Sequence, residues 1–384
     1  MYHTSRNGRA GAAELLLALS CVCACLHLAA STSAIAWTGH AANETFQHSD
    51  HTATYSPTTD SIWIIGGVSQ VGVAVGQSTL APRVAELDVS DPAAVTVEPI
   101  VGELIDTAVL PLRTGHVAAL DPADSSRILV WGGYTGLAYL SDMAAFDVTS
   151  GVWSSVPQSG GQVPVGRAYT SLTRVCIPDS VDAAPNLVPY TVNTLTGEDS
   201  GAGCGTGRSP VLVMFGGRTS GSTVTDDLAA MRGNDTAAGT WMDGSTALAG
   251  PAPVARSHHA TSVVRVSHGA SGVVDLECVL IFGGLAGVGA GATILGDLWE
   301  LCPEVPPATG SPYGWSGKWV WREITDATGD APVARYGASA TTLGSNQFFM
   351  FGGQNDGFPA FIQVCVCGYV WLWLWLWLWL WLWL

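Results

Sequence analysis

Histidines and arginines cluster along this chain in a way that invites metal or acid–base chemistry. His48 and His51, His116 just after Arg113, and the pair His258-His259 just after Arg256 offer imidazole nitrogens, the commonest protein ligands for transition metals. Arg113, Arg167, Arg256 and Arg335 offer planar forks that bind a carboxylate or two carbonyls at once. Nine cysteines complete the set. Cys21, Cys23 and Cys25 lie in an apolar N-terminal stretch, Cys365 and Cys367 near the C-terminus, and Cys176, Cys204, Cys278 and Cys302 between them. Those last four allow three pairings, and no Cys-x-x-Cys spacing suggests zinc among them. The chain carries neither a Gly-x-Ser-x-Gly elbow nor a His-Glu-x-x-His helix, and no glycine-rich phosphate loop opens a helix.

The elements that must position these residues are set by a recurrence. Five short apolar runs each close on a glycine pair: Gly66-Gly67, Gly132-Gly133, Gly216-Gly217, Gly283-Gly284 and Gly352-Gly353. A β-branched and aromatic run closed by glycine predicts a buried strand entering a turn. Five copies with matching flanks predict a repeat architecture. An Arg or His cluster precedes most pairs. An acidic residue and an apolar neighbour follow: Glu86-Leu87, Asp142-Met143, Asp227-Leu228 and Asp297-Leu298. A tryptophan comes next, at Trp153, Trp241, and Trp319 with Trp321, and a Pro-containing stretch leads to the next arginine.

This order of Arg, Gly-Gly, acid and Trp resembles the kelch repeat, over residues 37–363. The resemblance implies an all-β fold, a kelch-type β-propeller of four-stranded antiparallel blades. Here it is incomplete, with about four blades and a partial fifth. The first copy lacks the tryptophan, and the fifth is expected to stop after its second strand. The resemblance also implies structural roles. Arg113, Arg167, Arg256 and Arg335 meet carboxylates such as Asp142, Asp227 and Asp297, and Trp153, Trp241 and Trp319 fill the core between blades. In the repeat register Cys278 and Cys302 lie on neighbouring antiparallel strands, within disulfide reach. Cys176 and Cys204 bracket a long insertion at 176–208 and would clamp its neck.

Residues 1–36 have the layout of a secretory signal peptide: Arg6 and Arg9, an apolar stretch from Leu15 to Ala30, then Ala34-Ile35-Ala36. Asn43 and Asn234 open glycosylation sequons, which agrees with export. Residues 364–384 repeat Val-Cys and then Trp-Leu. Such dipeptides are encoded by simple DNA repeats, and we expect a splice donor read through into intron; a membrane anchor follows only if this tail is genuine. The net charge of −16, with Lys318 the sole lysine, excludes a basic stripe for nucleic acid.

The expectation for function is a secreted or ectodomain propeller, similar in arrangement to the kelch segments of attractin-like proteins. It would bind a protein or glycan through its loops, with no cofactor, no metal and no catalysis. The loops Val68 to Pro82, Arg218 to Thr225 and Leu285 to Gly296 are the first candidates, with the 176–208 insertion. Two alternatives stand beside it: an intracellular kelch scaffold in vesicle trafficking, and a copper enzyme resembling galactose oxidase. The second needs a Tyr–Cys crosslink and converging Tyr and His ligands.

Overall fold

The computed structural model describes residues 48–69, 79–80, 83–89, 96–104, 109–178, 204, 208–233, 239–242, 251–268, 274–304, 318–327, 331–343, 347–355 and 365–368. They belong to one compact unit, Glu44–Leu384. The signal-peptide reading, both sequons, most of the 176–208 insertion and the Trp-Leu tail lie outside the described residues.

Each glycine pair lies at the second strand of one sheet: it follows the strand directly in sheets 1 to 3 and lies inside it in sheets 4 and 5, where sheet 4 pairs on past a register shift. Sheet 1 runs Thr52–Ser56, Ser61–Ile65, Arg83–Asp88, Thr96–Leu104. Sheet 2 runs Val117–Asp121, Asp124–Trp131, Met143–Asp147, Val152–Ser155. Sheet 3 runs Ser171–Pro178, Arg208–Phe215, Leu228–Arg232, Thr240–Trp241, and gains a fifth, parallel strand, Ser159–Gly160. Sheet 4 runs Ala260–His268, Val274–Ala286, Thr293–Pro303, Trp319–Glu323. The first strands of successive sheets pack beside one another, so they lie innermost around a common axis. The four sheets are the blades of a β-propeller.

The continuous apolar runs follow from this arrangement. Successive side chains on a strand point to opposite faces, and a blade has a neighbour on both. On the second strand of sheet 2, Ile128 and Val130 pack with Trp63, Ile65 and Val84 of sheet 1. Leu129 and Trp131 pack on the other face with Leu212, Met214 and Trp241 of sheet 3. Val213 and Phe215 of sheet 3 meet Val279 and Ile281 of sheet 4, whose Leu280 and Phe282 turn to Phe348 and Met350 of sheet 5. A strand wet on one face would alternate apolar with polar instead.

Sheet 5 corrects one expectation. It has Tyr336–Leu343 and Gln347–Gln354, and then a third strand, Cys365–Gly368, antiparallel to Gln347–Met350. The Val-Cys alternation is extended and rich in β-branched residues, and an open strand edge is a template for such a segment.

Candidate functional site

The arginines organise each blade. Arg256 is fully buried, and its Nη1 and Nη2 donate to Asp297 Oδ1 and Oδ2, both at 2.7 Å. The same Nη1 donates to the Gly283 carbonyl at 3.0 Å and Nε to Val254 O at 3.1 Å. Arg113 repeats the pattern with Asp142 (2.7 and 2.6 Å), Gly132 O and Pro111 O. Arg167 does so with Asp227 (3.0 Å), Gly216 O and Val165 O. Arg335 bonds Gly352 O and Val333 O. Each side chain thus ties the entry of its own blade to the glycine pair, and those of Arg113, Arg167 and Arg256 also reach the start of the third strand. Burying a guanidinium is tolerable because carbonyls and a carboxylate take its donors.

The arginine main chain makes the link between blades. The carbonyls of Arg113, Arg167, Arg256 and Arg335 accept from Gly67, Gly133, Gly217 and Gly284 N–H of the preceding blade, at 2.8–3.2 Å. A Cβ on Gly216 would sit 2.6 Å from the Arg256 carbonyl oxygen, at φ +65°. The glycine pair is therefore the contact surface for the next blade.

A second main-chain series runs inside the first. Gly115 N–H donates to Asp50 O, Tyr169 to Gly115 O, His258 to Tyr169 O and Gly337 to His258 O, at 2.7–3.2 Å. All five residues have positive φ, between 54° and 66°. Gly115 and Gly337 adopt this freely, whereas Tyr169 and His258 hold bulky side chains in a region that costs about 1–3 kcal/mol. Their rings stack, with centroids 3.9 Å apart and planes at 17°. The Tyr169 ring fills the space that a Cβ on Gly115 would need.

Beside Tyr169 lies a cavity of about 640 Å³ between the loops of sheets 2 and 3. Tyr134, Tyr139 and Tyr169 supply aromatic walls, Leu137 and Val165 an apolar edge, and Arg218 a cation. The Tyr134 and Tyr139 rings lie 4.7 Å apart across a tight turn. Thr135 Oγ1 fastens that turn, accepting from Leu137 and Ala138 N–H. Arg218 pairs its main chain with Ala168 in both directions and donates from Nε and Nη2 to the carbonyls of Ser220 and Gly221, both at 3.0 Å. Its charge lies near His258, Tyr139 and Tyr169: burial first, and then Arg218, holds His258 down to about 4. Burial raises the Tyr139 and Tyr169 phenols.

His116 and His259 are interior, whereas His51 is exposed. Burial, then the neighbouring arginine, lowers His116 and His259 to about 3, so both are neutral near pH 7. His116 Nε2 lies 3.1 Å from Thr52 Oγ1 of sheet 1. Among the described residues, one group of His, Cys, Asp or Glu atoms converges as metal ligands would: Cys278, Glu300 and Cys302. Its two cysteines are joined in a disulfide.

Cys278 lies within its strand, which starts at Val274, and faces Cys302 with Cα atoms 4.4 Å apart, the spacing of a non-hydrogen-bonded pair. Cys176 joins Cys204, with Cα atoms 5.3 Å apart. Trp153, Trp241 and Trp319 are buried, each in a different cluster between blades. Gln158 Oε1 accepts from both Trp131 and Trp241 Nε1. Asn43 and Asn234 lie outside the described residues. Of the candidate loops, the one from Arg218 reaches the cavity. Reading the sequence missed Tyr134, Tyr139 and Tyr169. The available signal was Tyr169 standing where Arg113 and Arg335 are followed, two residues on, by glycine.

No protein-family model matches the chain, and no curated protein matches its sequence. Among solved structures, YjhT is similar over 88% of this chain and 87% of its own, at TM-score 0.53 and 12% identity. At that identity the likeness shows the propeller fold alone. No helix among the described residues is long and apolar enough to cross a membrane.

Proposed function

We propose that this chain is a kelch-type propeller of the secreted or ectodomain kind, binding a protein or glycan on the face that carries the glycine-pair loops, without catalysis. The observation that carries this reading is the cavity walled by Tyr134, Tyr139 and Tyr169 beside Arg218. Aromatic walls with a few fixed polar groups characterise ligand sites on rigid scaffolds. The repeated arginine, glycine-carbonyl and carboxylate device supports the kelch assignment, and the two disulfides support an oxidising compartment. The four core cysteines pair with each other, which leaves none of them for a Tyr–Cys crosslink and favours binding over copper chemistry.

The test has two arms. Peptide and glycan arrays probed with the purified chain should yield ligands that the Tyr134→Ala/Tyr139→Ala double variant loses; a double variant that retains every ligand overturns the site. Intact mass of the secreted chain before and after reduction should show the cysteines oxidised; four alkylatable thiols without reduction overturn the compartment.

A further inference from the structure

We infer that the occupant of this face is a protein segment that sets an acidic side chain beside aliphatic ones, with the carboxylate on Arg218. This rests on the binding reading above and narrows it to one class of partner. Two independent observations carry it.

The first is charge. Arg218 is half-buried, and none of the ion pairs among the described residues includes it. Its Nε and Nη2 are occupied by carbonyls, which fix the plane of the guanidinium at the cavity wall, and Nη1 has no hydrogen-bond partner among the described residues. A half-buried guanidinium without a carboxylate is conspicuous where acidic residues outnumber basic ones 31 to 15. Its blade-organising counterparts Arg113, Arg167 and Arg256 each have one. A held fork with open donors recognises a carboxylate with little further ordering.

The second is apolar exposure. Leu137, at the tip of the fastened turn, is 95% exposed. Val165, Val254 and Val333 each stand two residues before a blade arginine and are 59%, 55% and 52% exposed. The arginine Nε bonds to their carbonyls, so the valines are held in place at successive blade junctions. Leu137 and Val165 stand in the cavity with Arg218, and Val254 and Val333 extend the exposed aliphatic set to the next two blade junctions; rigid aliphatic groups left in water suit a polypeptide with aliphatic side chains. A sugar ring would use the tyrosines but not this outer set.

The probe is a displayed random heptapeptide library, selected on the intact disulfide-bonded chain. Enriched peptides should combine Asp or Glu with Leu, Ile or Val. A labelled member should lose roughly tenfold or more in affinity for Arg218→Gln, and comparably when its own acid is changed to the amide. The peptide-side change reads the same contact without touching the protein fold. Arg218→Lys should recover part of the loss, and near-ultraviolet circular dichroism should show each variant folded. Enriched peptides without an acid, lost with Tyr139→Ala but indifferent to Arg218→Gln, overturn the inference and leave the binding face standing. Retention of a carboxylated oligosaccharide with no peptide enrichment overturns it in favour of a glycan. No ligand from either class sensitive to the tyrosines overturns both readings.

Discussion

At the residue scale, the buried ionic groups set how this protein responds to acid. Burial pushes Asp297 up, but the two bonds and the charge of Arg256, with the Trp299 indole at 2.7 Å, outweigh it and leave the carboxyl below its ordinary value. Its contribution is complete above about pH 4 and is lost as pH falls through the depressed folded value. The histidines act earlier. His116, His258 and His259 are held down to about 3, 4 and 3 in the fold, against about 6.5 unfolded. Below pH 6.5 the unfolded chain therefore takes up protons that the folded chain refuses. Each histidine removes about 1.4 kcal/mol of stability per pH unit across that window. Urea midpoints should fall steadily from pH 7 to pH 5. The His116→Gln/His259→Gln double variant should show a shallower fall, and an unchanged one contradicts the assignment. Asp297→Asn should cost about 2 kcal/mol at pH 7, since it leaves Arg256 without its carboxylate. Asp297 is partly exposed, so water offsets some of the loss.

At the element scale, the glycine pairs and the cross-strand disulfide determine where strands stop and how they pair. Gly216→Ala meets both an unfavourable φ and the Arg256 carbonyl, whereas Gly352→Ala meets unfavourable φ with nothing within 4 Å. The second should cost about 1–2 kcal/mol and the first distinctly more, measured as the difference in unfolding free energy. Breaking Cys176–Cys204 closes one loop fewer, of 28 residues, and Cys278–Cys302 one of 24. Loop-closure entropy puts each at about 3.5 kcal/mol, so Cys→Ser pairs should lower stability by similar amounts. This scale is also where the sequence was most legible. Strands such as Ile128–Trp131 and the carboxylates Asp142, Asp227 and Asp297 recur in register, and repetition turns weak local signals into one strong one. Tyr134, Tyr139 and Arg218 occur once each. Their meeting depends on the packing of two loops from different blades, and nothing in the local spacing encodes that. The parallel strand Ser159–Gly160 escaped for the same reason: its pairing with Thr240–Trp241 is a tertiary fact.

At the scale of the whole molecule, each blade interface is built from both faces of continuous apolar strands, and sheet 5 shows the effect of packing against one neighbour among the described residues. Phe348 and Met350 are buried against sheet 4, whereas Phe351, on the opposite face, is 46% exposed. Met350→Ala should cost about 2–5 kcal/mol. Phe351→Ser should stay within about 0.5 kcal/mol and raise solubility, both read from unfolding curves and from the concentration at which the chain precipitates. A large loss from Phe351→Ser would mean that this face is covered in solution.

The inner seam from Asp50 through Gly115, Tyr169 and His258 to Gly337 is stitched by peptide groups alone. Which side chain hangs from each stitch is immaterial to the stitch, provided the backbone tolerates a left-handed turn. Aspartate, glycine, tyrosine and histidine already share the task. The face that carries this seam is a rewritable surface: an evolving or engineered descendant can exchange its recognition groups one blade at a time while the blades beneath keep their pairing.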